Sequence, residues 1–166
     1  MQIFIIDKDP VQAARVQCDK HVVKMPLECA QMLCTALHQY DVADIPYKTS
    51  HARHPCTLWV TGSRSNFFWL VVHGLVLCSE YTIRYKRLHK SQEVIEWCMS
   101  KAHHIPEGAL TEPPQAVPDE FKRDNVITAY RAYYHSKVSF AKWKRNKPTW
   151  WQGESYEEET NGQEFS

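Results

Sequence analysis

The chain has 166 residues, of which 43% are hydrophobic, 12% aromatic and 23% charged, enough for one domain with a real core and incompatible with global disorder. Five glycines against nine prolines exclude collagen-like and flexible low-complexity chains, while the absence of an 18-residue apolar run and of a basic, long apolar leader points to a cytosolic protein with no membrane partner. The formal charge of +1 conceals a split: Gln152–Ser166 holds five glutamates and no Lys or Arg, leaving 20 basic against 14 acidic side chains in the body, a surplus that suits an anionic ligand.

Gln2–Ile6 alternates weakly and reads as one short strand or an extended arm. Asp9 as N-cap and Pro10 in the first helical position open a helix expected to run to about Met25. Pro26 ends or kinks it, and a second helical stretch follows from Leu27 to about Gln39. Tyr40–Pro55 is a polar loop. Ser65 is positioned to cap the longest helix, about Asn66–Lys86, whose first half is apolar almost all round and therefore central. Ser91 caps a helix over Gln92–Ala102, a proline-punctuated connector spans Ile105–Pro118, and a last helix covers about Arg123–Lys144. With no repeat and no alternation of strands and helices, the expected fold is mostly α: a single compact helical domain over residues 1–151, followed by an acidic, flexible tail over 152–166. The six cysteines read as free thiols in a reducing compartment.

Chemistry-bearing side chains concentrate in four places. In Cys18–Glu28, Lys20 and Lys24 share a helical face with His21 beside them, and Lys24 reaches Glu28 if the helix passes Pro26. His21 belongs to the residue type that titrates near neutrality. His51, Arg53 and His54 precede Cys56 and Trp59 and are donors suited to phosphate or carboxylate. Together with Cys18 and His21 they also supply a zinc-ligand set, although Cys18 and His21 fall on a helix rather than a turn. Glu80 and Arg84 lie one turn apart where the apolar helix becomes basic, either as a buried ion pair or as an orienting or catalytic pair. Arg131 and Lys137, on the last helix, are assigned to a ligand face, while Tyr130 and Trp143 are assigned to the core. No Walker loop, dinucleotide fingerprint, H-E-x-x-H, G-x-S-x-G or paired C-x-x-C is present, and no cofactor is implied.

The segments Asp19–Lys24, His54–Cys56 with Trp59, Glu80–Tyr85, Pro113–Phe121 and Tyr130–Tyr134 together resemble a family of small proteins encoded by tailed phages, which implies a setting rather than a reaction. Lys147-Pro148-Thr149-Trp150-Trp151 and Pro118-Asp119-Glu120-Phe121 are also similar to segments of the phage pyrimidine-dimer DNA glycosylase/AP lyases of the endonuclease V type. That resemblance implies a small, mostly helical fold, a Schiff base formed by an amino-terminal threonine amine, and a glutamate two positions before a proline. Here Gln2 follows Met1, so Met1 is expected to be retained, and Lys24 stands where that glutamate would be.

Two functions follow. In the first, a DNA-base enzyme takes a flipped nucleotide into a basic pocket, with Lys24 or Lys20 as the amine, His21 beside it, and Glu80 or Glu28 as acid/base; Lys20, His51, Arg53, His54, Arg84, Arg131 and Lys137 hold phosphate. In the second, the same cluster sequesters a small phosphorylated or cyclic nucleotide, as in phage counter-defence, without turnover. A protein-binding inhibitor would suit the acidic tail but leaves the histidines unexplained. The expected partner is DNA or a phosphorylated nucleotide.

Overall fold

Asp9 and Pro10 open α1 (Pro10–Arg15) as their residue types require: the Asp9 carboxylate accepts from Val11 N–H at 2.9 Å and Pro10 fills the first turn. The computed structural model describes residues 1–156, and these form helices, turns and loops with no strand among them. Gln2–Ile6 is accordingly an extended arm, and its Ile3, Phe4, Ile5 and Ile6 are all buried.

The first helix does not reach Met25. It ends at Arg15, and α2 (Asp19–His38) begins after three intervening residues. Groups remote in sequence make this break favourable. Arg84 donates to the carbonyls of Arg15 and Gln17, and Trp143 Nε1 donates to that of Val16, which satisfies acceptors that a helix end leaves open. Cys18 N–H goes to the Tyr134 hydroxyl and Asp19 N–H to the Lys142 carbonyl. Pro26, expected to end or kink the helix, instead lies inside α2. It lacks the N–H that would have reached Val22, and His89 Nε2 donates at 2.9 Å to the adjacent Val23 carbonyl, so part of the disturbed ladder finds a partner from outside the helix.

The loop after α2 gives way to a short helix that sequence reading did not separate, α3 (Pro55–Gly62), N-capped by His54 Nδ1 accepting from Cys56 N–H. The long helix α4 (Arg64–Tyr85) is capped by Ser63, whose Oγ accepts from Asn66 N–H at 3.1 Å, and not by Ser65. It packs against α1, α2, α3 and α5 (Gln92–Ser100). Its length and composition would allow a membrane crossing, but 61% of the apolar window is buried inside the fold. Gly74 lets α4 approach closely: a Cβ there would lie 3.0 Å from Ile95 Cδ1 and 3.2 Å from Cys29 Cβ.

The proline-rich connector lies along α4, held by Ser63 Oγ to the Ala109 carbonyl and by a two-way bond between Asn66 and Thr111. The last helix, α6 (Val126–His135), starts at the Asn125 cap and stops nine residues short of Lys144. The segment after it cannot remain helical, because Lys142, Trp143 and Lys144 must reach back to the α1–α2 junction through the Asp19 N–H, the Val16 carbonyl and the Asp19 carboxylate. Beyond Tyr156 the expected acidic tail lies outside the described residues.

Candidate active-site cleft

The buried arm carries its own anchor. Gln2 Nε2 donates to the Ala116 carbonyl at 2.7 Å, and Gln2 Oε1 accepts from Ile3 N–H at 3.0 Å and from the Tyr130 hydroxyl at 2.6 Å. With the Gln2 amide fixed, the Met1 amine lies 3.5 Å from Glu28 Oε1. Lys24 Nζ lies 3.5 Å from the other carboxylate oxygen. The Glu28 side chain is 10% exposed, and its Oε1 is buried without a hydrogen-bond partner. Continuity of α2 through Pro26 is what puts Lys24 and Glu28 on one face, a turn apart.

These groups line a cleft of about 410 Å³ with Lys20, His21, Lys137 and the rings of Phe4, Tyr133 and Phe140. Lys20 Nζ sits 4.6 Å from the Phe140 ring centre, and Lys137 Nζ sits 4.0 Å from that of Tyr133. Interleaved cations and aromatic faces are the surface that phosphates and stacked bases need. His21 does not behave as the near-neutral titrating group its residue type suggests. Burial, reinforced by Lys137, Lys24 and Lys20, lowers its pKa to about 3, so it is a neutral imidazole at physiological pH.

The other expected site residues distribute as follows. His54 is close enough to feel this cleft: its pKa is lowered by burial first, then by the Met1 ammonium and His51, with Glu28 opposing. His51 is exposed and bonds Ser50 Oγ through Nδ1, and Arg53 is exposed. Glu80 and Arg84 are not brought to the cleft. Glu80 Oε1 accepts from Arg84 Nε at 3.0 Å and from Arg145 Nε and Asn146 Nδ2 at 3.1 Å each, while Arg84, fully buried, spends its remaining bonds on Asp19, Gln17 and Arg15. This network ties α4 to the α1–α2 junction and the carboxyl-terminal segment, and Glu80 borders a second cleft there. Arg131 is likewise elsewhere. It donates to the Ile6 carbonyl, lies over the Trp150 ring and borders a separate cleft of about 630 Å³.

The zinc set is not assembled. His21 Nδ1 is engaged by Tyr134, His54 Nδ1 by a backbone amide, and among the described residues no group of three His, Cys, Asp or Glu side chains is placed to hold a metal ion. Sequence reading missed the Met1 amine and the rings of Phe4, Tyr133 and Phe140. Two signals pointed to the amine: the amino-terminal nucleophile that the glycosylase resemblance implies, set aside because Gln2 follows Met1, and the run of apolar residues right after Gln2, which buries the arm.

The described residues thus define a class: an all-helical fold that sets an amine against a buried carboxylate in a basic, aromatic cleft. Comparison with known families agrees with that class. The family described as pyrimidine dimer DNA glycosylase matches residues 1–93, and the chain belongs to that family. The matched stretch contains Met1, Lys20, His21, Lys24, Glu28 and His54, whereas Tyr133, Tyr134 and Lys137 come from beyond it. No curated protein and no solved structure matches the chain.

Proposed function

We propose that the protein is a DNA glycosylase with lyase character, in which the Met1 α-amine is the nucleophile and Glu28 the proton carrier. The observation that carries this reading is the Met1 amine at 3.5 Å from the buried, otherwise unpartnered Glu28 Oε1 in a cleft lined by three lysines. The free amine's lone pair forms a bond to the sugar C1′, and the C1′–base bond breaks with its electron pair leaving on the base, which takes up a proton. Glu28 accepts a proton from the new ammonium and delivers it to the ring oxygen as the C1′–O4′ bond opens, which leaves an imine. Lys24 faces the same carboxylate, but from an exposed side chain, whereas Met1 is buried beside Glu28.

In this reading Lys20 and Lys137 hold the flanking phosphates, and Phe4, Tyr133 and Phe140 receive the extruded nucleotide. His54, whose ring feels the Met1 ammonium and Glu28, adds a contact to the strand together with its chain neighbours His51 and Arg53. Lys24 balances the charge of Glu28 and reaches phosphate from its exposed side. Glu80, Arg84 and Arg131 support the fold.

The test is borohydride trapping on a duplex containing an abasic site, with wild type, Glu28→Gln and Lys24→Ala at two salt concentrations. Trapping that weakens with salt, falls about 10²–10⁴-fold in Glu28→Gln and survives in Lys24→Ala is the expected result. No trapping, with tight binding of a small nucleotide that is released unchanged, would replace the enzyme by a sequestering protein.

A further inference from the structure

Tyr134 is fully buried on α6, and its hydroxyl joins two groups of the α2 start: Cys18 N–H at 2.8 Å and His21 Nδ1 at 2.8 Å. A backbone amide only donates, so the hydroxyl oxygen is the acceptor toward Cys18; the buried hydroxyl proton needs an acceptor of its own, and among the described residues His21 Nδ1 is the one hydrogen-bonded to it. His21 Nδ1 is then the acceptor, and the proton of the neutral ring lies on Nε2. The ring plane is fixed as well. Phe4 stacks on it at 4.3 Å and 15°, and Phe140 meets it edge-on at 5.6 Å. Among the described residues Nε2 has no hydrogen-bond partner, and the ring lines the cleft.

We propose that Tyr134 is a positioning residue: it holds His21 as the neutral Nε2–H tautomer, so that the imidazole acts as an uncharged, directed hydrogen-bond donor to a phosphate or sugar oxygen of the nucleotide in the cleft. The inference rests on the reading of the cleft as the substrate site. The charged groups sharing the cleft with His21 are Lys20, Lys24 and Glu28 from α2, Lys137 from beyond α6, and the Met1 amine from the arm. The lysines already supply positive charge. What the neutral ring adds is direction, and it does so without placing a further cation beside the amine that must lose a proton to react. The matched family segment ends before Tyr134, so the tautomer-setting partner comes from the part of the chain that the family comparison does not reach.

Long-range ¹H–¹⁵N spectra of the ring nitrogens, assigned with His21→Gln, read the tautomer directly. The wild type is expected to show a protonated Nε2 and a bare Nδ1, unchanged between about pH 8 and about pH 5, well outside the ordinary histidine transition. In Tyr134→Phe the ring is expected to move toward a tautomer mixture or to titrate. A wild-type Nδ1–H signal, or a Tyr134→Phe spectrum identical to wild type, overturns the proposal. The wild-type spectrum decides the tautomer even if Tyr134→Phe does not fold.

Function is read by a double-mutant cycle on imine trapping. Tyr134→Phe is expected to slow trapping about tenfold in the wild-type background and not at all on His21→Gln, whose amide N–H does not depend on the tyrosine proton. Equal slowing in both backgrounds would make Tyr134 merely structural and overturn the positioning role. Absence of trapping in the wild type would overturn the glycosylase reading instead, and would leave the tautomer standing or falling on its spectrum.

Discussion

Replacing Gln2 with alanine removes the peg that holds the amino-terminal arm. Besides a weak bond from the Cys56 thiol at 3.6 Å, three strong hydrogen bonds are lost: the one donated to the Ala116 carbonyl at 2.7 Å and those accepted from Ile3 N–H at 3.0 Å and the Tyr130 hydroxyl at 2.6 Å. At about 1 kcal/mol each these amount to roughly 3 kcal/mol. Tyr130 is fully buried, so its hydroxyl is left with only the Cys56 thiol, at 3.9 Å, and desolvation of that group adds about 1–2 kcal/mol. The expected destabilisation is therefore about 4–5 kcal/mol, measured by urea unfolding at neutral pH. Tyr130→Phe alone should cost less, and the double variant should cost less than the sum, because the two share one bond. Imine trapping should fall further than the folded fraction does, since the Met1 amine depends on the same peg. A loss below about 1 kcal/mol, or additive single effects, would show that Gln2 does not anchor the arm.

Further outcomes follow from the same geometry. His73 is fully buried, donates to the Pro10 carbonyl from Nδ1 and accepts from Gln17 at Nε2, and burial lowers its pKa to about 4. The unfolded chain takes up that proton near pH 6.5, so the stability this group contributes is present above that value and is lost as pH falls from 6.5 toward 4, by about 3 kcal/mol in all. Urea midpoints across that window should drop in wild type and drop less in His73→Gln. Glu80→Gln breaks a buried network with Arg84 and should cost about 3–5 kcal/mol by urea unfolding, yet should leave the trapping rate per folded molecule unchanged. Gly74→Ala forces a Cβ against Ile95 and Cys29 and should lower stability by about 1–3 kcal/mol, with Ile95→Val recovering part of it. Lys137→Ala should reduce the salt slope of duplex binding by about one unit.

What the sequence made legible was local. The Asp9–Pro10 start, the central apolar helix and the all-helical class depend on caps and hydrophobic runs that are written within a few residues. The errors arose where a distant group decides the outcome. The α1–α2 break is set by Arg84, Trp143 and Tyr134, and the passage of α2 through Pro26 is accompanied by a bond from His89. The early end of α6 reflects bonds from Lys142–Lys144 back to Asp19 and Val16.

The cleft follows the same rule. Lys20, His21 and Lys24 were recognisable as a cluster because helical spacing collects them, and Lys137 joins them only through the fold. Glu28 was visible as a partner of Lys24, yet its importance depends on an arm that returns the Met1 amine to it. Glu80 drew attention for its setting in an apolar helix, and its bonds run to Arg84, Arg145 and Asn146 rather than to the groups around Glu28.

The most direct test of the central claim is identification of the nitrogen that reacts. The borohydride-trapped protein–DNA adduct would be digested and the modified residue located by mass spectrometry. A reduced imine on the α-nitrogen of Met1, with Lys24 and Lys20 unmodified, is the expected result. An adduct on Lys24 Nζ, or on any other side chain, would contradict that claim.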